Sequence, residues 1–208
     1  MARKRVAILI SGRGSNMLAL IKAAAANDYP AEIALVVSNE PGAEGLQRAN
    51  AAGIATAVID HRRFGKDRET FERALHDKLV TSAIEIVCLA GFMRLLTPWF
   101  VQQWDGRLLN IHPALLPAFK GLDTHARALA AGVRQHGATV HFVAPEMDSG
   151  PIIAQRVVPV LAGDTEQSLA ARVLEVEHQL YPLALRLVAE GRVAVVGGRC
   201  LVDGHPAP

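Results

Sequence analysis

The feature that most constrains this fold is a series of short, almost wholly apolar runs, rich in β-branched residues, each followed by a stretch of helical composition. Residues 6–10 (Val-Ala-Ile-Leu-Ile) stop at Ser11-Gly-Arg-Gly14, and a Leu- and Ala-rich stretch follows over 16–26. The pattern repeats with strands over 33–37, 54–59 and 84–90 and helices over 45–52 and 67–79. A strand with one wet face alternates polar and apolar residues, whereas a strand covered on both faces has no need to. Such runs alternating with helices predict an α/β fold: an open, Rossmann-like, mostly parallel twisted sheet with helices on both faces. With 208 residues the chain is long enough for one substantial core. A single domain over 1–208 is expected, with an N-terminal half of about 1–104 and a C-terminal half of about 105–208.

Beyond Gly91 the regularity breaks. A short helix is predicted over 97–104 and a strand over 107–111, then a long connection marked by Pro113, Pro117 and Gly121. Strands over 138–143 and 152–160 are joined by a turn over 145–151. Asp164 opens the longest helix, with Gln167 as its capping-box partner and an apolar stripe at Leu169, Val173, Val176, Leu180, Leu183 and Leu187. Pro182 is expected to kink it. A hairpin over 193–196 and 199–202 turns at Gly197-Gly198.

Charge and cysteine usage exclude several classes of function. Twenty-two Lys and Arg against 20 Asp and Glu leave a net charge of +2, and only Arg3-Lys4-Arg5 forms a basic cluster. That is no footprint for a phosphate backbone or an anionic membrane, so neither nucleic acid nor membrane is an expected partner. The five apolar residues after the cluster are too few for a signal peptide, which points to a cytoplasmic protein. Cys88 and Cys200 lack CxxC spacing and are expected to be reduced and structural. His61, His76, His125, His136, His178 and His205 show no HExxH or similar spacing, so no metal is expected.

Three places have residues suited to chemistry. In Ser11-Gly-Arg-Gly-Ser-Asn16, glycines between a strand and a helix allow a tight turn that aims unpaired N–H groups at an anion, which makes a phosphate cradle. The same residues also read as a plain βα turn with Ser15 as the N-cap. They are not a dinucleotide fingerprint, because the third glycine would fall at Met17. At the end of a predicted strand, Asn110 and His112 stand two apart and face one side, and Pro113 keeps His112 out of the helical region. An amide donor beside an imidazole suits acyl transfer, whose tetrahedral intermediate carries an oxyanion. In the 146–151 turn, the Asp148 carboxylate could orient and charge a histidine, or simply form an Asx-turn. Thr139 and His141 share a strand face as possible support for the same cleft, or occupy a polar edge.

Taken together, Gly14-Ser-Asn16, Leu89-Ala-Gly-Phe-Met-Arg94, Leu109-Asn-Ile-His-Pro-Ala-Leu-Leu-Pro117, Val140-His-Phe-Val143 and Met147-Asp-Ser-Gly-Pro151 closely resemble one family. It is the phosphoribosylglycinamide (GAR) formyltransferases of purine biosynthesis. The Asn-x-His-Pro segment and the distant Asp belong to a wider superfamily of transferases and hydrolases that use 10-formyltetrahydrofolate. The resemblance implies transfer of a formyl group from that folate, as co-substrate, to the primary amine of glycinamide ribonucleotide. It implies a catalytic trio of Asn110, His112 and Asp148, with Gly14, Ser15 and Asn16 on the substrate phosphate, Pro113 beside the substrate, and Glu177 on the ribose hydroxyls. Without the resemblance, Glu177 reads as a solvated helix residue.

The resemblance further implies an apolar folate recess from Leu89, Met93, Arg94, Leu95, Leu96, Phe100, Val101 and Leu108. The 143–148 loop, with Val143 and Glu146, closes over that recess, and Arg68 lies near the ligands. The partners implied are small molecules, GAR and reduced folate, bound by a monomer or homodimer. Ala114 stands where many members have Ser, and Arg13 occupies a variable position. The glycine loop, the chain length and a first strand at Val6 favour the transferase over a tRNA formyltransferase or a formyltetrahydrofolate hydrolase. The hydrolase and a non-catalytic nucleotide-binding module are the alternatives.

Overall fold

The computed structural model describes residues 2–207. It has a seven-stranded sheet of order β3-β2-β1-β4-β5-β6-β7 and a small three-stranded sheet of order β10-β9-β8. The chain divides into two compact units, Met1–Leu109 and Asn110–Pro208.

In the first unit β1 (Lys4–Ile10) pairs in parallel with β2 (Ala31–Ser38) on one side and β4 (Ile86–Leu89) on the other, and β2 pairs in parallel with the short β3 (Thr56–Val58). Residues Val6–Ile10 and all four residues of β4 are buried, as continuous apolar runs require. Helices α1 (Ser15–Ala24), α2 (Glu44–Ala51), α3 (Arg68–Thr81) and α4 (Pro98–Gln103) lie between and after these strands. The buried Glu72 of α3 accepts the Thr97 backbone N–H at 2.8 Å and the Thr97 hydroxyl, which ties α3 to the start of α4. Burial pushes the Glu72 carboxyl above its usual range.

β5 (Leu108–His112) runs across the unit boundary. The second unit holds α5 (Thr124–Ala130), β6 (Gln135–Phe142), β7 (Ile152–Pro159), α6 (Glu166–Ala189), β8 (Val193–Val196), β9 (Arg199–Val202) and β10 (His205–Pro206). β6 and β7 are antiparallel, with a register shift at Val140/His141, and α6 packs on both.

The fold class expected from the apolar runs is the one found, and most element boundaries agree within two residues. The helix α5 was not anticipated, because the Pro and Gly signals around it read as continuous loop. α6 is capped by Thr165 with Ser168, not by Asp164 with Gln167. Asp164 instead accepts from Leu161 N, Ser168 Oγ and both terminal nitrogens of Arg172, a set that holds its carboxyl well below the usual range. Pro182 lies within α6 without ending it.

The apolar stripe of α6 also differs from the expected one. Leu183 is 42% exposed and Val176 half-buried, while the buried face runs Leu169, Val173, Glu177, Leu180, Ala184, Leu187. Glu177, a solvated residue by composition, is therefore on the core side. Cys88 and Cys200 are buried free thiols, and burial pushes the Cys200 thiol up to about 11.

Candidate active site

The first unit carries the glycine loop. Gly14 is the N-cap of α1 in the left-handed region (φ 73°), and no side chain caps the helix. Ser15 is thus the first helical residue and not the N-cap. A Cβ at Gly14 would come within 3.2 Å of the Gly45 Cα, and Gly45 N donates to Gly12 O at 3.0 Å, so the loop is braced by the start of α2. Ser11, Gly12, Arg13, Gly14, Ser15 and Asn16 form one wall of a recess of about 230 Å³, and Ala90, Gly91 and Met93 form the other. An uncapped helix start opening onto this recess suits an anion.

The residues expected around a folate take different places in this unit. Met93 and Leu95 are 67% and 62% exposed, and Arg94 and Leu96 are half-buried. Exposed apolar side chains in a short run are what a flat ligand would cover. Leu89 and Val101 are nearly buried, and Phe100 and Leu108 have no exposure or almost none, so these last two belong to the core and not to an open wall. Arg68 is the exposed first residue of α3.

The second unit brings Asn110, His112, His141 and Asp148 together. Asn110 and His112 close β5 on one face. His112 is 5% exposed; its Nε2–H donates to the Phe119 carbonyl at 2.9 Å, and its Nδ1 faces Asp148 Oδ2 at 3.4 Å. Asp148 sits in the left-handed region (φ 51°), and its Oδ2 also accepts from Gly121 N at 2.8 Å. The turn can approach this closely because of Gly150, where a Cβ would lie 1.8 Å from the Phe142 carbonyl oxygen.

His141 Nδ1–H donates to Phe142 O at 2.8 Å, which leaves Nε2 as an acceptor for Asn110 Nδ2 at 3.2 Å. Burial lowers the His141 pKa, in keeping with a neutral ring, so its 3.8 Å approach to Asp148 Oδ1 is not an ion pair. His141 therefore fixes which way the Asn110 amide points and leaves that amide a second N–H.

Thr139 does not share this task. Thr139, wholly buried, is committed to the neighbouring connection: it donates to Ala114 O at 2.6 Å and accepts from Leu116 N at 3.1 Å. Gln155 donates to Leu116 O and to the Thr139 hydroxyl, and Thr124 donates to Pro113 O. These bonds hold the connection after Pro113. Phe119, Thr124 and Gln155 were not singled out in the sequence, and Gly121 only as a chain breaker, because their parts are played by backbone groups or by bonds across the fold. Val143 is half-buried, Glu146 is exposed and Glu177 is 6% exposed. Among the described residues no group of three or more His, Cys, Asp or Glu could hold a metal ion.

An amide donor and an imidazole at a strand end, faced by a carboxylate from a turn, suit acyl-group chemistry. Consistent with this, the formyl transferase family model matches residues 4–185, and the chain belongs to that family. It is 45% identical to the phosphoribosylglycinamide formyltransferase of Escherichia coli (strain K12) over 98% of this chain and 95% of that one. It is also 53% identical to the trifunctional purine biosynthetic protein adenosine-3 of Gallus gallus over 92% of its length, but spans only 19% of that protein. The crystal structure of glycinamide ribonucleotide transformylase 1 from Symbiobacterium toebii superposes with a TM-score of 0.93 at 42% identity, over 96% of this chain and 94% of that one. A formyltetrahydrofolate deformylase from Pseudomonas syringae pv. tomato shares the fold at 28% identity and a TM-score of 0.89, over 96% of this chain and 66% of that one. No helix among the described residues is long and apolar enough to cross a membrane.

Proposed function

We propose that this chain transfers the formyl group of 10-formyltetrahydrofolate to the primary amine of glycinamide ribonucleotide, with Asn110, His112 and Asp148 as its catalytic residues. The observation that carries the reading is that Asp148, distant in sequence, is brought against the Asn110/His112 pair at the end of β5, with His141 orienting the amide. The N–H of Asn110 not used by His141 donates to the oxyanion that forms as the amine adds to the formyl carbon. His112, whose Nε2 is engaged by Phe119, works through Nδ1, on the side where Asp148 stands. Asp148 accepts the proton shed by the amine through a water, that proton passes on to N10 of the folate, and the formyl C–N10 bond breaks as the amide forms, releasing tetrahydrofolate.

The glycine-loop residues Gly14, Ser15 and Asn16 hold the substrate phosphate, Pro113 lies beside the substrate, and Glu177 takes the ribose hydroxyls. Arg68, Leu89, Met93, Arg94, Leu95, Leu96, Val101, Val143 and Glu146 serve the folate. On this reading phosphate binding belongs to about 1–104 and catalysis to about 105–208. Cytoplasmic location and small-molecule partners go with it.

The family resemblance to a deformylase favours one second reading, in which water replaces the amine and formate is released. Incubating the protein with 10-formyltetrahydrofolate, with and without glycinamide ribonucleotide, separates the two. The transferase consumes folate only with the nucleotide and yields formylated nucleotide, whereas formate release in both tubes would establish the hydrolase.

A further inference from the structure

The Ser11 hydroxyl joins three segments at the carboxyl ends of adjacent parallel strands. Ser11 follows β1; its Oγ donates to Asn39 Oδ1, just after β2, at 2.5 Å and accepts from Met93 N, beyond β4, at 2.7 Å. Its backbone N–H donates to Gly91 O at 3.0 Å. A hydroxyl has one proton, so commitment of that proton to Asn39 turns its lone pairs to Met93.

Asn39 is itself held in one orientation. It is 2% exposed, and its Nδ2 faces Glu40 Oε1 at 3.5 Å and His61 Nδ1 at 3.2 Å. A flipped amide would set Oδ1 against the Glu40 carboxylate. The acceptor oxygen is therefore held on the Ser11 side by the Glu40 carboxylate, while His61 Nδ1 packs beside the same amide, 3.1 Å from the Asn39 carbonyl oxygen.

The two segments that Ser11 ties together are the two walls of the 230 Å³ recess, the glycine loop and Ala90–Met93. Nothing in Gly12, Arg13 or Gly14 bonds to the 91–93 backbone in place of this hydroxyl among the described contacts. We propose that Ser11 is a positioning residue: it sets the spacing between the loop that holds the nucleotide phosphate and the backbone that begins the folate wall at Met93. This rests on the formyl-transfer reading, in which the two substrates lie on these two segments. A spacing error between them shows in turnover, because reacting atoms displaced by a fraction of an ångström leave the near-attack geometry.

The test is steady-state kinetics of Ser11→Ala, Ser11→Thr, Asn39→Ala and the double variant Ser11→Ala/Asn39→Ala, with thermal melts to confirm that each is folded. Ser11→Ala is expected to lower kcat about 10-fold, the effect of losing one hydrogen bond that leaves its partner unsatisfied, with both KM values within about threefold. Ser11→Thr retains the hydroxyl and restores kcat. Asn39→Ala reproduces the loss, and the double variant falls no further than either single one.

A folded Ser11→Ala with unchanged kcat, a rise in the nucleotide KM alone, or additive losses would overturn the proposal. If Ser11→Ala does not fold, Asn39→Ala decides on the same criteria. Failure of the underlying reading looks different, because the unmodified protein would then not formylate the nucleotide at all.

Discussion

Asp148 Oδ2 lies 3.4 Å from His112 Nδ1 while accepting the backbone N–H of Gly121 at 2.8 Å. One carboxylate thus faces the imidazole and pins the loop whose Phe119 carbonyl holds the other ring nitrogen. The carboxylate is needed as an anion that takes a proton, and an amide of the same shape is not. Asp148→Asn is expected to lower kcat about 10²-fold or more while the KM for nucleotide changes little. A variant that altered only that KM would contradict the proton-acceptor role.

Asn110 and His112 act on charge that exists only during reaction. Asn110→Ala should cost about 10²–10³ in kcat, the usual loss for one oxyanion donor. His112→Ala should cost at least as much. Isothermal titration of nucleotide binding should find both variants close to the unmodified protein.

His141 is neutral and accepts from Asn110, so its contribution is to orientation. His141→Phe should lower kcat about 10-fold, and His141→Gln, which keeps an acceptor, should recover most of it. Equal losses in the two variants would mean that His141 matters for packing alone.

His136 gives a stability prediction. It is 1% exposed, and burial, with His125 and His112 nearby, lowers its pKa to about 4. Between that value and the ordinary 6.5 the unfolded chain binds a proton that the folded one refuses. The stabilisation is therefore complete above about pH 6.5 and is lost as pH falls through 4, by about 3 kcal/mol at the limit. Urea unfolding of the unmodified protein and His136→Gln over this pH range should give converging curves toward acid. Parallel curves would contradict the assignment to His136.

Much of the fold was legible because the strands of the first unit are apolar on both faces, a pattern with few other meanings. Asn110 and His112 were legible for a related reason: two apart at a strand end, they must share a face. Glu177 was not legible from its own surroundings, since a glutamate in an amphipathic helix reads as solvated and only the register of Leu169, Val173 and Leu180 shows otherwise. α5 was hidden by the breakers that flank it. The support given by Gln155 and Thr124 depends on which loops the sheet brings near them, and local sequence carries no record of that.

The most direct measurement follows a labelled formyl carbon from 10-formyltetrahydrofolate in the unmodified protein and in His112→Ala, with glycinamide ribonucleotide present. The expected result is label on the nucleotide amine with the unmodified protein and a loss of about 10² or more in that transfer with the variant. Label recovered as formate from the unmodified protein, or transfer at the same rate by His112→Ala, would contradict the account.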